Sequence, residues 1–265
     1  VAGFTHVDDA GGGRPLVFLH GWSVNSGFFA AQQDLVTRGF RVITPDLPGH
    51  GRDRRSDPRL SIEDLSAALA AYLAAARLDD AVLIGWSMGA TVAFDHIARR
   101  GPAGLAGLVV VDMTAKVAND AGWSLGLSNG QTLADTDAAA DRMAANWPRY
   151  APKIAEAMFA AGVDLTGETY RKAALAVAAN DGPTMASLWR SLVAADHRAT
   201  VTGLGIPVLA VAGAESRLYA PEVARWIAAS APCCQAISLA GAGHTPHLEQ
   251  PQAFNAAIAA FADHL

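Results

Sequence analysis

In the stretch VLIGWSMGATVAF, residues 82–94, Ser87 stands between Gly85 and Gly89 where an apolar run passes into a helical pattern. A serine hydroxyl is a poor nucleophile by itself. Attack on a carbonyl needs a base to take its proton, an acid to orient that base, and donors to receive the oxyanion. His244 and His247, in GAGHTPHLEQP (241–251) just past the last apolar run, are candidates for the base. His20 in FLHGW and His50 in DLPGHG sit in loop motifs that suit turn-stabilising hydrogen bonds. Two residues compete for the acid. Asp112 ends the apolar run LAGLVVVD, and Glu215 follows PVLAVAG (207–213). A strand end is a rigid mount for a group that must hold one imidazole tautomer, which favours Asp112 over a glutamate in a loop. A cap on the turn leaving that strand is the other role open to Asp112.

These residues meet only if strands and helices alternate so that loops gather at one edge of a sheet. Apolar runs at 15–22, 40–49, 81–85 and 105–112 read as strands, and 207–213 and 235–241 as two more. Between them, Ile62, Leu65, Leu69, Tyr72, Leu73 and Ala76 fall on one helical face, behind Ser61 and Asp64 at capping-box spacing. Ala90, Ala93, Phe94 and Ile97 follow at i, i+3, i+4 and i+7, so a helix starts at or just after Ser87. A further helix starts near Pro221, and Phe254, Ile258, Phe261 and Leu265 mark a closing one. From Thr114 to Thr202 the alternation stops in favour of several helices rich in Ala, Trp and Met. The expected fold is α/β: a mostly parallel, doubly wound sheet built from residues 1–113 and 203–265, with 114–202 as a helical insertion.

The 265 residues are 51% apolar, enough for one large core, with a formal net charge of −5 that favours no nucleic acid partner. The basic run GRDRR at 51–55 suits a solvated loop. No apolar stretch has the length of a membrane span, and the first residues lack the charged and apolar regions of a signal peptide. Cys233 and Cys234 are adjacent and cannot staple distant segments. A cytoplasmic protein without cofactor is expected, and no His, Cys, Asp or Glu cluster has metal-ligand spacing.

Gly85-Trp86-Ser87-Met88-Gly89, His20-Gly21-Trp22 and Gly243-His244, in that setting, resemble the nucleophile elbow, oxyanion loop and histidine loop of the α/β-hydrolase superfamily. The resemblance implies Ser87 as nucleophile, His244 as base, and the backbone N–H groups of Trp22 and Met88 as oxyanion donors. It makes the helical insertion a cap over the site. It also exposes a departure: Ser216 occupies the position where the superfamily usually carries its acid. "HGW" with a following asparagine, "DLPGHG" and "GWSMG" are similar to carboxylesterases of the pimeloyl-ester esterase kind. A small-molecule ester, free or delivered on a carrier protein, is the implied substrate. Lys153, Arg171, Lys172 and Arg190 could meet an acidic carrier. Trp86, Phe28, Trp123, Met143 and Trp147 are expected to line an apolar acyl pocket. A lactonase, a thioesterase or a C–C bond hydrolase would use the same residues, and a ligand receptor with little turnover is the reading outside enzymes.

Overall fold

The computed structural model describes residues 3–53 and 55–265. Its centre is a seven-stranded sheet in the order β1-β3-β2-β4-β5-β6-β7. The strands are β1 (Val7–Gly11), β2 (Pro15–Leu19), β3 (Arg41–Pro45), β4 (Ala81–Trp86), β5 (Leu105–Val111), β6 (Val208–Gly213) and β7 (Cys234–Leu239). Only β1 runs antiparallel, against β3. All other neighbours are parallel. The middle strands read as unbroken apolar runs because both faces are covered: every residue of β2, β4 and β6 is buried. Each fully buried Val, Leu or Ile side chain contributes about 1.5–3 kcal/mol, so these runs anchor the sheet.

The sequence reading contains no strand at β1. Four of its five residues are exposed and VDDAG has no apolar alternation, so nothing local marks it. Its pairing with β3 decides it. The other six strands lie within or beside the expected runs.

The helices are α1 (Ile62–Ala75), α2 (Met88–Arg100), α3 (Leu133–Ala145), α4 (Trp147–Ala157), α5 (Glu168–Ala178), α6 (Gly182–Ala194), α7 (Arg198–Thr202), α8 (Glu222–Ser230), α9 (Pro246–Glu249) and α10 (Pro251–Asp263). Ser61 and Asp64 cap α1 reciprocally, as their spacing predicts. Helices α3 to α7 all lie between β5 and β6, and this long excursion adds no strand to the sheet. A 3-10 helical stretch, Ser26–Arg38, links β2 to β3. Arg54 of the basic run lies outside the described residues. Its neighbours are neutralised, Arg52 by Asp8 and Asp46 and Arg55 by Asp53. Among the described residues no helix is long and apolar enough to cross a membrane.

Candidate active site

Ser87 closes the turn from β4 into α2 with φ 52° and ψ −123°, a conformation that side chains other than glycine seldom adopt. The flanking glycines are what allow it. A Cβ on Gly85 would run into the backbone of Ala90, and one on Gly89 into the carbonyl of Leu19. The turn thus packs flat against β2 and lifts Ser87, half-buried, into a cavity that His244 also lines. Here the Ser87 Oγ makes no hydrogen bond among the described residues; such contacts commonly tighten only around a bound substrate. Met88 is the first residue of α2, so its N–H has no acceptor within the helix and points from the positive end of the helix dipole.

His244 follows β7, and its Nδ1 donates to Asp112 Oδ2 at 2.7 Å, with both side chains almost fully buried. Asp112 comes directly after β5 and has φ 44°. Its Oδ1 accepts from the Gly213 amide at 3.1 Å and its Oδ2 from the Ser216 hydroxyl at 2.7 Å. Glu215, the alternative acid, is exposed and its side chain makes no hydrogen bond among the described residues. The structure therefore brings Asp112, and not Glu215, to the imidazole. From the other side, Trp86 Nε1 donates to the His244 carbonyl at 2.7 Å. His247, the second candidate base, is wholly buried under Trp86, their rings 4.5 Å apart, and neither ring nitrogen has a partner among the described residues. Burial, with His244 nearby, lowers its pKa to about 3, so it stays neutral.

Trp22 follows β2 on the loop that faces the elbow, and its indole N–H donates to the Met185 carbonyl of α6 at 2.9 Å. Two buried histidines hold this loop. His20 Nε2 accepts from the Leu47 amide, which leaves the proton on Nδ1 to donate to the Gly21 carbonyl at 2.8 Å. His50 Nε2 accepts from the Ser23 amide and its Nδ1 donates to Pro48. Burial lowers His20 to about 4; burial, aided by His20, lowers His50 to about 3. Both keep one neutral tautomer, so the loop on either side of Trp22 is held by turn hydrogen bonds of the expected type.

The cavity at Ser87 has a volume of about 130 Å³. Gly21, Trp22, Trp86, Ser87 and His244 form its floor. Leu127, Ile154, Ala157, Met158, Trp189 and Leu192 come down from the segment between β5 and β6, and Leu218 and Tyr219 close one side. Of the residues expected in an acyl pocket, only Trp86 lines it. Phe28 stacks behind Trp86, ring centroids 5.6 Å apart. Trp147 meets Trp22 edge-on and donates to the Val177 carbonyl. Met143 is buried on α3, which packs on α6. Trp123 packs on Trp226 and under the Arg198 guanidinium. These four are corrected to packing residues: Met143 and Trp147 on their helices, Phe28 on the 3-10 stretch and Trp123 in the loop before α3 each turn toward a neighbouring element instead of the cavity. Leu218 and Tyr219 carry no motif that would mark them as wall residues.

A larger cleft, of about 510 Å³, runs past Asp8, Asn25, Asp46 and Asn180 and shares no lining residue with the Ser87 cavity. Burial works against the charge of Asp46, yet hydrogen bonds from the side chain and amide of Arg52 and from the Ser26 amide hold its carboxyl at about 2. Among the described residues no group of His, Cys, Asp and Glu could hold a metal ion.

The sequence profile described as "Alpha/beta hydrolase family" matches residues 16–257. A pimeloyl-[acyl-carrier protein] methyl ester esterase of Aromatoleum aromaticum is 33% identical over 246 residues, covering 90% of this chain and 94% of its own. The AB hydrolase superfamily protein YisY of Bacillus subtilis is 26% identical, covering 97% and 94%. Among solved structures, an esterase from Exiguobacterium antarcticum superposes with a TM-score of 0.90 at 18% identity, over 99% of this chain and all of its own. At that identity the likeness concerns the fold. The profile match spans most of the chain, from β2 into α10, and with it the chain belongs to the alpha/beta hydrolase family.

Proposed function

We propose that this hydrolase of esterase type cleaves compact carboxylic esters through an acyl-enzyme on Ser87. The observation that carries the reading is a serine on a strained, glycine-flanked turn, opening into the same cavity as a histidine whose Nδ1 is bound to a buried aspartate. In the proposed cycle Ser87 Oγ attacks the ester carbonyl as His244 Nε2 takes its proton. The oxyanion rests on the N–H groups of Trp22 and Met88. Asp112 holds the imidazole tautomer and offsets the imidazolium charge. His244 then protonates the departing alkoxide, and water repeats the sequence to release the acid. The helical segment 114–202 serves as the cap that roofs the site.

The cavity sets the size of the acyl group. At about 30 Å³ for a water-sized group in the liquid, a cavity of about 130 Å³ corresponds to roughly four such groups. Its walls are almost entirely apolar, which favours an uncharged short acyl chain.

A carrier-delivered ester is the second reading. It draws on the name of the Aromatoleum relative and on Arg149, Lys153 and Arg171, which are exposed on α4 and α5 and make no ion pair among the described residues. Against it, Arg190 is tied to Asp137 and Asp141, and Lys172 to Glu168.

The test is the initial rate on p-nitrophenyl butyrate for the wild type and Ser87→Ala side by side. Turnover that vanishes with Ser87 supports the proposal. Equal turnover in both removes the elbow from the chemistry. Absence of turnover in both on esters, lactones and thioesters alike would favour a receptor.

A further inference from the structure

Ser216 stands where the superfamily pattern places an acid, and its hydroxyl is fully committed. It donates to Asp112 Oδ2 at 2.7 Å, on the same oxygen that receives His244 Nδ1. The amides of Leu218 and Tyr219 both donate to its Oγ, each at 3.4 Å. With two N–H groups against its lone pairs, the hydroxyl proton has one acceptor left, the carboxylate. Ser216 therefore ties the acid to the short segment that carries Leu218 and Tyr219, two walls of the Ser87 cavity.

On the triad reading above, we infer that Ser216 is a positioning residue of the acid–base pair: its hydroxyl fixes the rotation of the Asp112 carboxylate and takes up part of its charge. It touches neither substrate nor the reacting atoms. Asp112 is held by three donors on two oxygens, and two of them, the Gly213 amide and Ser216, belong to the end of β6 and the loop after it. Without the hydroxyl, the carboxylate rotates about an axis restrained only by Gly213 and His244. More of its charge then bears on the imidazole, which favours the imidazolium.

The experiment is steady-state kinetics on p-nitrophenyl butyrate for Ser216→Ala and Ser216→Thr, each also made with Asp112→Asn. The ionisable groups facing His244 are Asp112 from the end of β5, Tyr219 from the loop after β6 and His247 from α9. Glu249 binds the Gly243 amide beside it. The substitutions at Ser216 leave their identities unchanged. Ser216→Ala is expected to lower kcat roughly three- to tenfold, the size of one net hydrogen bond, with KM little altered. The acid limb of the kcat/KM profile should move about half a unit to higher pH. Threonine, which keeps the hydroxyl, should recover most of both effects, and with Asp112→Asn the alanine change should cost little more.

A Ser216→Ala enzyme with wild-type kcat and pH limb overturns the inference. So does an equal loss with and without Asp112, because that loss would not pass through the carboxylate. Should the alanine variant fail to melt cooperatively, Ser216→Cys, whose thiol is a weak donor, carries the same expectation. If Asp112→Asn alone leaves turnover intact, the triad reading fails. If Asp112→Asn abolishes turnover and Ser216→Ala does not change it, only the role of Ser216 fails.

Discussion

Replacing Asp112 by asparagine tests the proposed catalytic arrangement most directly, because the hydrogen bonds around it leave the amide no good orientation. Three donors converge on the carboxylate: His244 Nδ1–H and Ser216 Oγ–H on Oδ2, and the Gly213 amide on Oδ1. An asparagine has one oxygen and one NH2. With the oxygen toward His244, the NH2 faces the Gly213 amide, donor against donor. With the oxygen toward Gly213, the NH2 faces His244 Nδ1 and makes it an acceptor. The imidazole proton then sits on Nε2, the nitrogen that must accept from Ser87. Holding the wrong tautomer and losing the counter-charge together lower kcat by about 10²–10⁴, equivalent to about 3–5 kcal/mol of transition-state stabilisation. Asp112 does not line the cavity, so KM should change little. Glu215→Gln should keep kcat within about twofold, as an exposed surface change does. The assay is kcat and KM on p-nitrophenyl butyrate, with thermal melting to show that each variant is folded. Equal losses in the two variants, or a loss confined to Glu215→Gln, would refute the assignment of the acid.

Three further outcomes are expected. Stability should fall as pH drops below about 6.5: the unfolded histidines then take up protons that folded His20, at about 4, and His50 and His247, at about 3, refuse, each contributing a slope of up to ~1.4 kcal/mol per pH unit. His247→Phe removes one such group and two unpartnered ring nitrogens, so its melting temperature should depend less on pH; an unchanged dependence would contradict the burial argument. Acyl preference should peak near butyrate and fall about tenfold or more by octanoate, with Leu192→Ala moving the optimum to longer chains; a flat profile from acetate to octanoate would mean that the 130 Å³ cavity does not set specificity. Gly89→Ala should cost about 3 kcal/mol or more in urea unfolding, because its Cβ runs into the Leu19 carbonyl, while Gly101→Ala, strained at φ 76° but in open space, should cost only about 1 kcal/mol. Equal costs at the two positions would show that close packing does not enforce the elbow.

Local pattern reaches some of these features and not others. The strands β2 to β6 are legible because a strand covered on both faces is apolar nearly throughout, β7 because Ile237 and Leu239 alternate with exposed Ser238, and α1 because its buried Ile62, Leu65 and Leu69 fall on one face. The turn at Ser87 is legible because only glycine fits at 85 and 89. β1 is not, since it is an exposed edge made by pairing alone. The cavity walls are the weakest point. Trp147, Met143 and Trp123 are chemically indistinguishable from Trp189 and Met158. Which of them face Ser87 depends on how α3, α4, α6 and the loops that carry Trp123 and Met158 pack against their neighbours.

The chain by itself determined the alternation of strands and helices from β2 onward, the glycine-flanked serine and the histidine past the last strand, because each is written in residues a few positions apart. Only the tertiary structure decided between Asp112 and Glu215 at the imidazole, gave Ser216 a hydroxyl bond to that acid, and set the cavity at 130 Å³. Those outcomes rest on pairs such as Asp112 with His244, which are 132 residues apart. Their distance is fixed by how β5, β6 and the loop after β7 pack side by side, and no periodicity along the sequence records it.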